Sequence, residues 1–181
     1  MFLLGDSRIL VTLLVTAFTA IHLCYQYLTT GIEAHHFFAD PDLPAISNLW
    51  GLLILPVLAW LTGTLIRKKQ GNVFPLKIWL QIALTGLYAA TMAWLFFSGF
   101  ESVVSTIALP IILCVALFYP IYQPQYLLAY VVVSSIGFGA ALPMIFGSIF
   151  AFLAFLTHQF IRPIYLWAFR KVKRSYTISS K

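Results

Sequence analysis

The chain has 181 residues, of which 61% are hydrophobic and 9% charged, and its formal net charge is +6. A soluble domain carries about a quarter charged residues, and a soluble fold of this size keeps too much surface wet to hide so many apolar side chains. With a mean hydropathy of +0.94, an ordinary soluble domain is excluded and a single all-α integral membrane domain is left.

A helix needs about 20 apolar residues to cross the hydrocarbon layer. On that criterion six spans are predicted, at residues 9–28, 49–66, 76–97, 102–119, 126–142 and 144–167, followed by a basic tail at 168–181. Arg8 followed by an apolar run resembles the start of a secretory signal. Phe18 stands where a cleavage site needs a small residue, so the run is read as a retained first helix. Cys24 and Cys114 fall inside apolar stretches, which predicts buried free thiols rather than a disulfide framework.

The first helix carries Thr12, Thr16, Thr19, His22 and Gln26 at steps of four, three, three and four, all on one face. Polar groups in lipid need protein or water partners, so this face is expected to turn inward. For the threonines, bonding to their own helix backbone is the simpler account. For His22 and Gln26 a polar path between helices competes with plain inter-helix bonding.

The loop after this helix holds Glu33, His35, His36, Asp40 and Asp42, half the histidines and three of the five acids of the chain. A short helix at residues 32–39 would put Glu33, His36 and Asp40 on one face. His35, His36 and Asp40 could then ligate zinc or another divalent ion. The competing reading is an ordered polar loop, with Asp42 or Ser47 capping the second helix.

The third helix has Gln81, Thr85, Tyr88 and Thr91 on one face, and the fifth has Tyr126, Tyr130 and Ser134 at steps of four. Small residues gather at Ser134, Ser135, Gly137, Gly139, Ala140 and Ala141, a composition that lets helices approach closely. Pro143 is either a tight turn between the fifth and sixth spans or a kink that would leave five; the even span count required by charge below favours the turn. The sixth holds His158 and Arg162 at i, i+4, with Arg162 reaching toward headgroups. A haem between His22 and His158 is disfavoured, because the two lie near opposite ends of their spans.

Charge orients the bundle. The second loop carries Arg67, Lys68, Lys69 and Lys77, and the tail carries Arg170, Lys171, Lys173, Arg174 and Lys181. The first loop has no Lys or Arg. The positive-inside rule then makes both termini cytoplasmic, which an even number of spans satisfies. Trp50, Trp79, Tyr122, Tyr126, Tyr165 and Trp167 fit interfacial belts. Anionic lipid headgroups account for the basic tail without nucleic acid.

These observations lead to a compact protein of a bacterial inner membrane with its first loop extracytoplasmic. The leading expectation is binding or transport of a small solute from that face by His22, Gln26, His35, His36, Asp42, Gln81 and Tyr88. The second is a metal-dependent membrane enzyme acting on a lipid-like substrate, with Glu33, His35, His36, Asp40 and Asp42 as its groups. The third is a non-catalytic subunit or assembly factor docking through its tail. A homo-oligomer is compatible with all three.

Overall fold

The computed structural model describes residues 5–36, 42, 44–167 and 170, with only the backbone of His36. Among the described residues there are six helices: α1 Ser7–Thr29, α2 Gly51–Gln70, α3 Leu76–Phe97, α4 Glu101–Phe118, α5 Pro124–Phe138 and α6 Ala141–Leu156. Two three-residue strands, β1 Ala34–His36 and β2 Ala45–Ser47, pair antiparallel between α1 and α2. A single 3₁₀ turn, Asn48–Trp50, leads from β2 into α2. A π-helical turn, Thr157–Ile161, extends α6.

Five of the helical segments are long and apolar enough to cross a membrane; α5, with 15 residues, is the shorter one. The distribution of side chains is that of an integral membrane protein. Large apolar groups face outward, among them Ile21, Leu28, Leu84, Leu87 and Trp94, while Gln26, Asn48, Thr62, Gln125 and His158 are buried. In water this inversion would cost the hydrophobic driving force; against lipid it costs nothing, and the polar groups find partners inside. Cys24 and Cys114 are on the outer surface, contrary to the burial expected of them. As small apolar groups they sit in lipid as readily as in a core.

Packing places α5 at the centre, against α2, α3 and α6, with α1 packed on α2 and α4 on α3 and α6. The α5 residues Leu128, Ala129, Val131, Ser134 and Ser135 are all buried, as expected of a helix enclosed by others. A run of 15 residues is about 22 Å long, less than a full hydrocarbon layer.

The turn between α5 and α6 lies at Gly139 and Ala140, not at Pro143. Gly139 adopts φ +65° and ψ 174°, a region essentially restricted to glycine. The chain then reverses: Tyr130 meets Phe150 edge to face, Tyr122 meets Phe155, and Gly147 lies against Leu127 and Tyr130. Pro143 falls in the first turn of α6, where a missing N–H leaves no helical bond unmade.

The loop also departs from expectation. Residues 34–36 form a strand whose register pairs Ala34 with Ser47, His35 with Ile46 and His36 with Ala45. Adjacent strand residues point to opposite sides, so the single helical face proposed for Glu33 and His36 does not form. β-pairing with 45–47 supplies the backbone partners that a short isolated helix would lack.

Candidate functional site

At the end of the bundle that carries the β-hairpin, five elements converge on a small polar cluster. The last turns of α1 bring His22 and Gln26 together, one helical turn apart. His22 stacks flat on Phe18, ring centroids 6.1 Å apart and planes 4° from parallel. Gln26 is 4% exposed. Its Nε2 lies 3.3 Å from His22 Nε2, and its Oε1 accepts from Asn48 Nδ2 at 3.2 Å. An amide nitrogen only donates, so His22 Nε2 accepts here. Turning both amides over reverses the chain without breaking it, with His22 then donating from Nε2.

The hairpin fixes Asn48. Its backbone N–H donates to the Glu33 carbonyl at 2.9 Å, and the Ser47 hydroxyl accepts from the Leu49 N–H at 3.3 Å, as one of the two predicted capping residues. From the other side the α5–α6 turn presses in. A Cβ built on Gly139 would overlap Asn48 Oδ1 and stand 3.2 Å from His35 Cδ2. Gly51, where α2 begins, sits close to Thr19 and Ala140 for the same reason. His35 Nε2 and Asn48 Oδ1 are both buried without a hydrogen-bond partner. Native structures rarely leave such atoms.

Beside them runs a cleft lined by Phe18, Thr19, His22, Asn48, Ser135 and Gly139, with about 10 Å³ of free space. That is room for about one water molecule. The cleft opens outward, so a larger ligand could place only its end group in this space unless the hairpin or the α5–α6 turn shifts.

Other predicted site residues lie elsewhere. Gln81 accepts from Gln125 Nε2 at 3.0 Å, and Gln125, 2% exposed, also donates to Gln123 at 2.8 Å. Tyr88 donates to the Ala108 carbonyl of α4 at 3.0 Å. These bonds tie α3 to α5 and α4, on the far side of α5 from α1, so the inward faces of α1 and α3 do not line one path. The α1 threonines bond their own helix: Thr12, Thr16 and Thr19 donate to the carbonyls of Arg8, Thr12 and Val15.

Asp40 and the His36 side chain lie outside the described residues, and Asp42 is exposed in a turn. Among the described residues no three His, Cys, Asp or Glu side chains gather as a metal site would require. Glu33 is exposed, its carboxylate 3.5 Å from the Thr30 hydroxyl.

No family model, curated protein or solved structure matches this chain. Its site must be read from its own geometry.

His158 has both ring nitrogens engaged. Nδ1 lies 2.8 Å from the Ala116 carbonyl and Nε2 2.9 Å from Arg162 Nη1. A carbonyl only accepts and a guanidinium only donates, so His158 carries its proton on Nδ1. It is a structural link between α4 and α6 within the π-helical turn, which removes the second nitrogen ligand a haem would need.

Two clusters escaped sequence reasoning. Asp6 caps α1 by accepting from the Arg8 N–H at 3.0 Å, and it pairs with Arg67 at 2.9 Å. Arg67 in turn donates to Asn72, whose carbonyl accepts from Ser7, while Arg8 lies 4.0 Å over the Trp60 ring. An Asp two residues before a basic residue at a helix start is a cap signal, so Asp6 was legible. Asn48 was not, because an Asn at the start of a span reads as an ordinary cap.

Proposed function

We propose that this chain is a six-span membrane protein that binds or passes a small solute at the end carrying its first loop. The observation that carries the reading is the convergence of His22, Gln26, His35 and Asn48 on the α5–α6 turn. Buried amides and imidazoles are costly inside a membrane domain unless paired, and intramembrane polar clusters commonly mark a pathway. Here the cluster lies beside a break between two helices, where backbone is open to a ligand. Gln81 and Tyr88 drop out of the solute site on this reading, and Asn48 enters it.

The proposal includes orientation. Arg8, Arg67, Lys68, Lys69, Lys77 and Arg162 lie toward the end where α1 begins and α6 finishes, and the first loop holds no Lys or Arg. By the positive-inside rule that end is cytoplasmic and the polar cluster faces the outside. A bacterial inner membrane suits this arrangement.

The test is ligand screening on the purified full chain in nanodiscs, followed by His22→Ala and Gln26→Ala. His22→Ala should melt close to the parent and Gln26→Ala lower, since it strips a buried partner from Asn48. Both should still express, and both should bind the solute at least tenfold more weakly, the loss of about one well-placed hydrogen bond to a ligand. Unchanged binding in both would remove this end of the bundle from the function. Orientation is checked with an impermeant thiol reagent in a Cys24→Ser/Cys114→Ser background. Thr30→Cys should label from outside and Gln70→Cys should not.

A further inference from the structure

The chemistry of the site narrows the ligand, taking the solute-site reading above as its basis. Asn48 is 6% exposed and its Oδ1 has no hydrogen-bond partner. His35 Nε2, beside it, is likewise buried and unpartnered. With Asn48 Nδ2 donating to Gln26, its Oδ1 is what Asn48 offers the site as an acceptor; with both amides reversed it would offer Nδ2, a donor, and the Asn48→Asp variant below separates the two. A neutral imidazole protonated on Nδ1 offers a second acceptor at Nε2. The site therefore calls for a donor.

Charge points the same way. Gly139 brings the C-terminal end of α5 against Asn48 and His35. A helix C-terminus leaves carbonyls without intrahelical partners and carries partial negative charge. Among the described residues, the segments at this end carry Glu33, Asp42 and Glu101 and no Lys or Arg. Such a surface draws cations toward it. The cleft on the Asn48 and Gly139 side, which His35 adjoins at Gly139 without lining it, has about 10 Å³ of free space, room for a group the size of one water molecule.

A positive charge, N–H donors and the size of a water molecule together describe one chemical class. We propose that this site binds an ammonium-type cation, either free ammonium or the terminal –NH₃⁺ of a primary amine, through Asn48 Oδ1 and His35 Nε2. Phe18, stacked on His22 at the edge of the cleft, adds an aromatic face of the kind cations favour. Among the described residues no carboxylate adjoins Asn48 Oδ1 or His35 Nε2, which suits weak, reversible occupancy by a monovalent ion.

The experiment titrates the full chain in nanodiscs with ammonium chloride, butylammonium chloride, potassium chloride and tetramethylammonium chloride at matched ionic strength, following tryptophan fluorescence and melting temperature. Potassium matches ammonium in charge and approximate size but has no N–H; tetramethylammonium has charge without donors. Ammonium, butylammonium or both should bind and stabilise, and the two controls should not. Butylammonium without ammonium would identify an amine ligand, and the reverse would identify the free ion.

Asn48→Leu should weaken binding about tenfold or more, the loss of one charge-assisted bond. Asn48→Asp should strengthen it, because Gln26 can turn over and donate to the new carboxylate while keeping His22. That opposite pair guards against a variant that merely misfolds. Equal binding of potassium and ammonium, or Asn48 variants that bind like the parent, would overturn the proposal. If instead a neutral solute binds and is lost in His22→Ala, the cation assignment fails while the solute site stands.

Discussion

Replacing Gly139 with alanine tests how the site is held together. At φ +65° and ψ 174° the backbone occupies a region that side-chain-bearing residues reach only with strain of about 1–3 kcal/mol. The new methyl would also overlap Asn48 Oδ1 and press on His35. Asn48 must then retreat and give up its 3.2 Å bond to Gln26, adding about 0.5–1.5 kcal/mol. The sum is about 2–4 kcal/mol.

Gly71 supplies the control. It ends α2 at φ 88° and ψ −172°, in the same backbone region, but a Cβ there meets nothing within 4 Å. Gly71→Ala therefore carries the strain alone. Unfolding titrations of both variants in mixed micelles should show Gly139→Ala the less stable by about 1 kcal/mol, the part due to the displaced Asn48. Equal loss in the two would refute the claim that the α5–α6 turn and the hairpin are locked through Asn48.

Two further predictions concern the other end of the bundle. Gln125→Leu removes bonds to Gln81 and Gln123, and a double-mutant cycle with Gln81→Leu should give a coupling of about 0.6–1.7 kcal/mol by unfolding titration, the range seen for inter-helix bonds in membranes. No coupling would mean that α3 and α5 are held by packing alone. Asp6→Ala should cost about 1–2 kcal/mol, because it loses a helix cap and the pair with Arg67, whereas Asp6→Asn keeps the cap and should cost about 0.5 kcal/mol. Equal loss in both variants would assign the effect to charge rather than to capping.

The long helices were legible because hydropathy over about 20 residues integrates many weak signals. Their details were not, and the reasons differ by residue. Pro143 looked like the turn because proline breaks helices, but in a first turn it fits, and Gly139 makes the reversal. That reversal depends on a positive φ that composition alone does not reveal. The loop looked helical on the spacing of Glu33, His36 and Asp40, and the pairing of 34–36 with 45–47 overrode it. A strand partner nine residues away leaves no mark on local periodicity. The polar face of α1 was read correctly as turned inward, and within it the threonines behaved as their chemistry dictates. What sequence could not supply was the partner of Gln26, since Asn48 is 22 residues away and owes its position to the hairpin.

The polar groups of this bundle sort by how each is satisfied, and that sorting isolates the site. Threonines return their hydroxyls to their own helices, as Thr85 and Thr91 do with Gln81 and Leu87. Gln81, Gln125 and His158 bond between helices. Ser135 bonds the Val132 carbonyl within α5. Against that background, the unpartnered buried side-chain atoms among the described residues fall into two groups. Arg8 Nε and Arg162 Nε belong to guanidiniums each already engaged through another nitrogen. Asn48 Oδ1 and His35 Nε2 stand together against the Gly139 turn. Each unmade bond of this kind costs about 1–3 kcal/mol, and a ligand that makes both bonds would recover much of that cost on binding. The fold satisfies most other polar groups by local means, so the pair left unpartnered beside Gly139 is where the proposed ligand would gain most.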